Sequence, residues 1–490
     1  MPPILTFALI LLFTAYIWHH FSRRKYRRGR LPPGPPPLPI IGNVHQMTVR
    51  DPWKRFAEWH ERYGPVVCFW VGPFPVIVLS TMEACHELFD KRGKIYSSRP
   101  QFPYVKSLFG GLQPFFMSYN TELRKHRQIY RAMLDPKASQ SYRPREEAET
   151  CRLLYELVSS DESQQSKALE RYNPNLASLL AYGERVRDWD WFYRRDRIRQ
   201  EGLKVMLFGG AAIDVIPALE WLPRRLSPWK TRAHRLFKDN LDLQSMRAKQ
   251  ALHCETPNWT RAVREMKQAN SMSWEQFSYT TGELFDGTSL TSSFSLGLFL
   301  MTCATQVAAT RKAADELESV IGPDRLPGFD DLPSLPYVTA FTKEIMRWRP
   351  IAPLGGPHLV TEDDEYAGYW IPANTTVLAN TWAIHMDRSS FENPETFRPE
   401  RWLKNPDVPL ATFGFGRRIC PGQHVGKDVF EITVARLLWA FEMTPTVDPS
   451  TIDTSKSTLP GIVFRGTDVG MKFKVRSARH RRAIERALQD

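Results

Sequence analysis

The chain has 490 residues, of which 42% are hydrophobic and 12% aromatic, so it is apolar enough for a large core and cannot be disordered in bulk. Its six cysteines include no Cys-x-x-Cys pair, which argues against a secreted disulfide framework or a cysteine-rich zinc site and favours a reducing compartment. The net charge of +13 lies mostly in the tails, with +6 in residues 22–30 and +5 in residues 472–490, so the body lacks the basic footprint of a nucleic-acid enzyme.

The amino terminus predicts a membrane anchor over residues 1–21. Ile4 to Trp18 carries no charge, although it is slightly shorter than the ~20 residues that span a bilayer comfortably. Basic residues follow it at once, so the positive-inside rule keeps the rest of the chain in the cytosol. A cleaved signal peptide is disfavoured, because its charge precedes the apolar run and small residues follow it.

Residues 22–39 form a predicted basic and proline-rich hinge. The run from Leu31 to Pro39 lacks most backbone donors and favours a stiff extended chain over a helix. A rigid spacer between anchor and globule is the favoured interpretation, and a proline-rich ligand for a partner domain is the alternative. Residues 40–490 then form one large domain.

Within this domain, the pattern predicts a mainly α fold with minor β sheets. Val66–Ser80 favours two strands around a Gly-Pro turn, and Tyr369–Asn380 alternates like strand and turn. The chain between Ser118 and Lys343 is mostly helical by pattern. A capping box at Ser273, with no proline before Pro323, predicts one long helix across the whole globule.

The decisive segment is Phe413-Gly-Phe-Gly-Arg-Arg-Ile-Cys-Pro-Gly422, a single cysteine in a glycine-rich loop behind two arginines. Glycine lets backbone approach a large flat ligand, and arginine favours a thiolate and grips carboxylates. A cysteine thiolate is one of the ligands by which proteins hold haem iron, and haem brings two propionates that need cations. A buried structural cysteine is the alternative, but it does not account for the whole pattern.

This segment resembles F-x-x-G-x-R-x-C-x-G, the haem-binding loop of cytochrome P450 enzymes. The resemblance implies the P450 fold, haem b as cofactor and Cys420 as the axial thiolate and only metal ligand. It also implies that Arg418 binds a propionate, that Gly416 and Gly422 provide room in the haem-binding loop, and that Phe413 packs beside the thiolate.

The likeness covers essentially the whole chain. Glu344-Ile-Met-Arg347 matches the family's E-x-x-R, and Arg401 matches the third member of its structural Glu-Arg-Arg triad. His358 matches a position that often binds a propionate. Arg127 matches the arginine of W-x-x-x-R, although Leu123 replaces the tryptophan. The anchor and hinge are similar to those of microsomal members, and the details are most similar to fungal enzymes of secondary metabolism.

The sequence departs from the family at the motif above the iron, A/G-G-x-D/E-T-T. The best match is Asp286-Gly-Thr-Ser-Leu-Thr291, which puts Ser289 at the acid and Leu290 at the usual threonine. In the family, this acid and this threonine help to deliver protons. Proton delivery needs a donor within hydrogen-bond reach, and leucine has no such group. Thr291 is retained one place later, about 100° further round the helix.

Asp286 is the second feature of this motif. It occupies a usually small position and shares a helix face with Ser289 and Leu290 by spacing. It is expected either to lie near the distal pocket, relaying protons or pairing with a basic substrate nitrogen, or to be turned toward another helix. We take Asp286, Ser289 and Thr291 as the candidate distal residues.

The family's default chemistry is oxygen insertion from O2, with electrons from NADPH through a separate flavin reductase. The chain has no convincing G-x-G-x-x-G fingerprint of its own, and Arg127, Arg417 and Lys427 are candidates for the reductase-docking patch. The expected enzyme is a monooxygenase in the endoplasmic reticulum membrane that faces the cytosol and contacts membrane lipid. The altered motif keeps desaturation, ring closure and oxidative coupling open, and a non-catalytic haem protein is a remote alternative.

The expected substrate is a small lipophilic molecule. Family correspondence places pocket walls near residues 102–116, 283–294, 351–356 and 459–463, which are rich in aromatic, aliphatic and small residues. Such walls favour a polycyclic or aromatic molecule without choosing among polyketide, terpenoid and indole alkaloid.

Overall fold

The computed structural model describes residues 29–205, 213 and 216–489. It is mainly helical with small sheets, as the sequence predicted. The predicted anchor, residues 1–21, and the hinge up to residue 28 lie outside the described residues. The rest of the proline-rich hinge is described and contains no helix, which its missing backbone donors predict.

The helices follow one another along the chain and carry most of the core. They are α1 (Pro52–Tyr63), α2 (Met82–Cys85), α3 (Gly93–Tyr96), α4 (Pro103–Phe109), α5 (Thr121–Leu134), α6 (Pro136–Ser159), α7 (Glu162–Tyr182), α8 (Trp189–Val205), α9 (Pro228–His253), α10 (Trp259–Glu265), α11 (Trp274–Thr305), α12 (Val307–Val320), α13 (Pro336–Trp348), α14 (Thr381–His385), α15 (Glu400–Lys404), α16 (Gln423–Ala440) and α17 (Ala478–Ala487).

The strands form three small sheets. They are β1 (Val66–Val71), β2 (Phe74–Leu79), β3 (His358–Leu359), β4 (Asp364–Tyr366), β5 (Tyr369–Ile371), β6 (Thr376–Ala379), β7 (Phe441–Pro445) and β8 (Met471–Val475). The largest sheet has the order β1-β2-β6-β3, and β4-β5 and β7-β8 are antiparallel pairs.

The predicted hairpin is confirmed. Val66 pairs with Leu79 and Val71 with Phe74, so the strands meet at the Gly72-Pro73 turn. Nearly all of their side chains are buried, because the sheet is covered on both faces. The predicted strand-and-turn segment at 369–380 is confirmed as β5 and β6.

The long central helix is confirmed in part. The Ser273–Gln276 capping box forms and starts α11, but the helix ends at Thr305 instead of continuing to Gly322. Gln306 leaves helical geometry, and its carbonyl accepts from the Thr310 amide to begin α12. Because of this bend, α12 buries a stripe of alanine and leucine side chains against α13 and α16. A straight continuation of α11 could not reach these two helices.

Helix α11 lies at the centre of the core. It packs against α7, α9 and α16, and most of its second half is buried. Within residues 29–205, 213 and 216–489, no single helix has the length and apolar composition needed to cross a bilayer. Helices α11 and α12 meet that test only when taken together, and the chain bends by 106° between them.

Candidate active site

The cysteine loop is a tight turn at the start of α16. The Cys420 amide donates to the Phe413 carbonyl at 2.8 Å, which closes the loop. Gly416 has a φ of +57°, and a Cβ there would lie 2.0 Å from the Phe89 carbonyl oxygen. Glycine is therefore required at Gly416, as the motif implied. Gly422 lies beside the sulfur, since a Cβ there would be 4.0 Å from Sγ.

Three arginines surround this loop. Arg418 donates to the carbonyls of Ser97 and Met117, and Arg127 donates from Nη2 to the Ile419 carbonyl at 2.8 Å. Arg99, buried in the segment before α4, donates to the carbonyls of Phe115 and Pro357. Each guanidinium contacts backbone carbonyls, and none has a carboxylate partner among the described residues.

The positive charges of these three arginines favour the binding of an anion. Burial and the two neighbouring cations hold the pKa of Arg99 well below its usual range, and burial with Arg127 lowers that of Arg418 to about 9. Buried cations that repel one another are costly unless a negative group joins them. Two carboxylates placed among the three guanidiniums would remove that cost, so the arrangement fits the propionates of haem.

The Cys420 thiol suits the iron. Burial raises its pKa, and the Gly422 amide and the Arg127 guanidinium oppose that shift. Both opposing groups favour the thiolate that a metal requires. The residues present therefore fit haem, with Cys420 as the ligand and Arg99, Arg127 and Arg418 as cationic partners.

Arg99 is a site residue that the sequence interpretation missed. It lies far from the cysteine motif, in Ser97-Ser98-Arg99-Pro100, and no local pattern marks it. A bridge between Ser98 and Leu359 brings it beside His358, and a Cβ on Gly356 would lie 2.6 Å from its Nη2. A signal existed only in the tertiary fold, because the arginine's partners are backbone carbonyls remote in sequence.

His358 lies in the same cluster, in a neutral form. Its Nδ1 is 2.7 Å from the Tyr96 carbonyl oxygen, and its ring stacks on Phe89 with centroids 4.1 Å apart. Burial, Arg99 and Arg418 hold its pKa well below the usual range. Because the proton on Nδ1 is donated to Tyr96, Nε2 is an acceptor, and His358 needs a second proton to donate to a carboxylate.

The structure brings the predicted triad together behind the cysteine loop. Arg347 binds Glu344 through two nitrogens, Nε and Nη2, at 2.9 and 2.7 Å, and Arg401 donates to Oε1 of Glu344 at 3.1 Å. Neither Glu344 nor Arg347 has any exposed surface. The two guanidiniums also donate to carbonyls in the 385–396 region, so the triad ties α13 to the segment that leads to the loop.

Trp402, where the family often has phenylalanine, contributes to this network. Its Nε1 donates to Oε2 of Glu344 at 2.9 Å. The Arg398 amide donates to Oε1 at 2.9 Å. Both carboxylate oxygens are thus multiply bonded, which is what a fully buried charge requires.

The open face of α11 is defined by Gly287 and Thr291, which are exposed although the helix crosses the core. The Thr291 hydroxyl donates to the Gly287 carbonyl at 2.6 Å, and Cβ space at Gly287 is empty within 4 Å. Ser289 lies on the opposite side and is buried, with 1% of its surface exposed. Leu290 is half-buried. Of the three candidate distal residues, Thr291 is therefore the one that faces open space.

Asp286 is turned toward another helix. Its carboxylate accepts from Arg195 Nη2 at 2.5 Å and from Arg199 Nη1 at 3.3 Å, both on α8. Arg195 is buried, lies over the rings of Trp191 and Phe285 and contacts the Tyr182 hydroxyl. Both carboxylate oxygens are therefore engaged in an ion pair that fastens α8 to α11, and the sequence spacing alone could not show these partners.

The carboxyl group on the open face is Glu283, one turn before Gly287. It is half-buried, and its Oε2 accepts from the Gln113 side-chain amide. Burial and the charge of Asp286 raise its pKa to about 8, against the opposing effect of Arg195 and Arg199. Glu283 lay within a predicted pocket wall but was not singled out.

Helix α5 connects the cysteine loop with α11. Arg127 reaches Ile419 on one side, and His126 Nδ1 lies 2.9 Å from the Thr280 hydroxyl on the other. Burial lowers the pKa of His126 to about 4, so its ring is neutral. The segment from Arg99 to Met117 makes the second connection, because Arg418 and Glu283 both bond to it. Loop, arginines and α11 thus border one region.

The comparisons with known proteins agree with this geometry. The cytochrome P450 family model matches residues 32–467. The chain is 34% identical to cytochrome P450 monooxygenase aneD of Aspergillus aculeatus, covering 99% of this chain and 94% of that protein. It is 38% identical to cytochrome P450 monooxygenase criE of Aspergillus cristatus, covering 90% and 84%. It is 34% identical to fumitremorgin C synthase of Neosartorya fischeri, covering 100% and 97%.

The family model spans the whole arrangement described above, from the proline-rich hinge through the arginine cluster and triad to the cysteine loop. The relatives match over nearly their full length, so the likeness is to complete proteins and not to one motif. The chain is therefore a monooxygenase of the cytochrome P450 family.

Proposed function

We propose that this protein is a membrane-associated haem-thiolate monooxygenase that hydroxylates or epoxidises a lipophilic secondary metabolite. The observation that carries the proposal is the cluster of Arg99, Arg127 and Arg418 around Cys420, which has no anionic partner in the part of the chain that the structure describes. One of the relatives is named for the synthesis of a compound, fumitremorgin C, which supports a biosynthetic role.

Haem held by Cys420 supplies the activation of O2, and the chain's own residues organise that site. Arg99, Arg127 and Arg418 would hold the propionates, and the glycines of the loop would let backbone approach the ring. The Glu344 triad keeps the loop's supporting segment in place. Thr291 offers a hydroxyl on the open face of α11, where it can pass a proton to or from water.

The walls near this region suit an apolar substrate. A narrow cleft of about 30 Å³ is lined mainly by apolar residues, among them Phe102, Phe109, Phe116 and Met117, and also by Gln101, Lys106 and Gln113. It borders the arginine cluster, because Arg418 donates to the Met117 carbonyl. Aromatic walls with few polar groups are typical of sites for lipophilic molecules. The substrate class is therefore a small, largely apolar molecule.

A second outcome is favoured by one observation. The residue before Thr291 is Leu290, so no acid adjoins the distal hydroxyl in sequence, and Ser289 is buried away from it. This departure from the family's proton-delivering pair favours, as the second outcome, desaturation, ring closure or coupling of two aromatic molecules without net oxygen insertion. A non-catalytic haem protein is the remote third possibility.

The test is mass spectrometry of a metabolite-rich host that expresses this chain with an NADPH-dependent reductase under isotopically labelled O2. We expect a product heavier by one oxygen atom that carries the label. The matched control is the same host with the reductase alone. A product lighter by two hydrogens, or joined from two substrate molecules, identifies the second outcome, and a haem-loaded chain without any reductase-dependent product identifies the third.

An external reductase must dock near the cysteine loop. This face exposes Arg417 and Lys427 around the start of α16. Arg127, the third candidate, is instead half-buried against the Ile419 carbonyl, and the exposed cation of α5 is Arg124. Arg417 is held by Tyr119, whose hydroxyl it contacts at 3.0 Å. Exposed cations of this kind speed the approach of an acidic partner and lose that effect as salt rises.

Membrane association is supported by a surface separate from residues 1–21. In the segment at 216–226, Trp221 is 87% exposed and Leu226 is 66% exposed, and Arg224 and Arg225 are exposed between them. Apolar side chains interleaved with arginines suit the boundary between headgroups and acyl chains. We propose the endoplasmic reticulum membrane as the location of the protein, with the domain in the cytosol.

Removal of residues 2–21 is expected to weaken association with vesicles of anionic phospholipid without abolishing it. Adding Trp221→Ser and Leu226→Ser to that deletion should then leave the protein in the soluble fraction, because little apolar contact with lipid remains. Flotation of the four combinations measures both effects. Equal flotation with and without the double substitution would contradict a role for this surface.

A further inference from the structure

We propose that Glu283 is a specificity-determining residue, which selects substrates carrying a neutral N–H group by accepting a hydrogen bond from it on the open face of α11. The inference rests on the proposed function, since it concerns the molecule that this site oxidises. The Asp286 carboxylate is already bound by two arginines of α8. Glu283 therefore takes its place as the carboxyl group available to a substrate.

The first step is the helix face. Glu283, Gly287 and Thr291 lie at i, i+4 and i+8 on α11, so they follow one line along its surface. From Phe277 to Phe285, every residue except Glu283 is buried, whereas Gly287 and Thr291 are exposed. The carboxyl group is therefore the polar end of the line on which the Thr291 hydroxyl also lies.

The second step is the wall that this carboxyl group contacts. Gln113 donates to Oε2 of Glu283, and the same Gln113 lines the aromatic cleft with Phe109 and Phe116. The contact places Glu283 at the edge of that cleft. Among the described residues, its Oε1 has no hydrogen-bond partner, although the atom is not fully enclosed. In the ionised carboxylate, Oε1 can therefore accept from a bound molecule.

The third step concerns the kind of donor. Gln113 already shows that a carboxamide N–H fits against this carboxyl group, so a substrate N–H can occupy Oε1 as Gln113 occupies Oε2. A protonated amine is disfavoured, because the nearby Arg195 and Arg199 repel a cation. Secondary amides, lactams and indoles are neutral donors of the required type.

The experiment uses ligands of known chemistry, because the substrate is unidentified. Imidazoles with aryl tails coordinate haem iron and change its absorption spectrum, so their binding is measured without turnover. Each tail carries a secondary amide, and its matched partner carries the same amide with the N–H replaced by N-methyl. A series of increasing tail length covers the reach to Glu283.

For the wild-type holoenzyme at pH 9, where Glu283 is ionised, we expect at least one tail length at which the N–H ligand binds about tenfold more tightly than its N-methyl partner, the ratio for about 1.4 kcal/mol. Glu283→Leu should remove this preference, and the isosteric Glu283→Gln, which keeps an amide oxygen, should retain part of it. Asp286→Asn is the matched control on the same helix, and its preference should equal that of the wild type.

The preference should also depend on pH. Above its pKa of about 8, Glu283 is ionised and accepts a stronger, charge-assisted hydrogen bond, so the N–H preference should rise between pH 7 and 9. The charged and titratable groups that act on it are Asp286 beside it, Arg195 and Arg199 from α8 and Tyr130 from α5, and Gln113 is its neutral partner. In Glu283→Gln the preference should be flat.

Three results would overturn the assignment: no N–H preference at any tail length in the wild type, an unchanged preference in Glu283→Leu, or an equal pH dependence in Glu283→Gln. If Glu283→Leu does not fold, the Gln variant and the pH series still decide. A chain that takes up no haem would give no spectral change with any imidazole, and that result overturns the proposed function itself.

Discussion

Replacing Cys420 by alanine is expected to abolish turnover completely and to remove the carbon-monoxide spectrum that a thiolate ligand gives to ferrous haem. Cys420 lies in the loop that the Phe413 carbonyl and Gly416 shape, and no other thiol can reach the same point without rebuilding that loop. Haem content should fall only in part, because Arg99, Arg127 and Arg418 still offer cations to the propionates. Optical titration with haem and carbon monoxide measures both effects.

The matched control is Cys254→Ala, in the turn after α9. Cys254 is a free, half-buried thiol like Cys420, so the substitution removes the same chemical group outside the loop. We expect its spectrum and turnover to equal those of the wild type. A thiolate spectrum that survives in Cys420→Ala would contradict the assignment and point to another cysteine as ligand.

The buried cysteines make that outcome physically unfavourable. Burial raises the pKa of Cys85 and of Cys303 far above the usual range, and for Cys85 the charge of Asp90 raises it further. A thiolate is therefore strongly disfavoured at both positions. Burial raises the pKa of Cys420 as well, but there the Gly422 amide and the Arg127 guanidinium oppose it, and Arg127 is a cation that the environments of Cys85 and Cys303 lack among the groups acting on them.

The sequence predicted those parts of the site that local chemistry encodes. The loop from Phe413 to Gly422 is a contiguous pattern, so its cysteine and required glycine could be recognised before any fold was known. The capping box at Ser273 could likewise be recognised from the sequence, because its two hydrogen bonds join residues that are three positions apart. The hairpin at 66–79 followed from its apolar strands and Gly-Pro turn.

Contacts between distant segments could not be predicted in this way. Helical spacing put Asp286 on a face with Ser289, but its partners Arg195 and Arg199 belong to α8 and are unmarked by any motif. Arg99 and Gln113 are similar, since each becomes informative only beside a residue remote in sequence. The bend at Gln306 reflects the packing of α12 on its neighbours, a tertiary effect that overrides local helix preference.

Replacing Glu344 by alanine is expected to lower the free energy of unfolding by about 3–5 kcal/mol, the usual cost of leaving a buried charge without its partner. Arg347 has no exposed surface and would lose both of its bonds to the carboxylate, and Arg401 would lose one. Thermal and denaturant unfolding of the haem-loaded protein measures the change. We also expect weaker haem retention, because the segment at 398–402 would lose its bonds to Glu344 from the Arg398 amide, Arg401 and Trp402.

Two milder substitutions separate the carboxylate's charge from its surroundings. Trp402→Phe removes one donor to Oε2, which Arg347 still occupies, so the expected loss is about 1 kcal/mol. Glu392→Gln breaks the exposed ion pair with Arg398 and should change nothing measurable, because solvent screens that pair. We therefore expect the loss in free energy of unfolding to be far larger for Glu344→Ala than for Trp402→Phe and to be near zero for Glu392→Gln. This order follows from the burial of the Glu344 charge. Equal losses for Glu344 and Trp402 would show instead that the indole's packing, and not the buried carboxylate, holds the segment behind the haem loop.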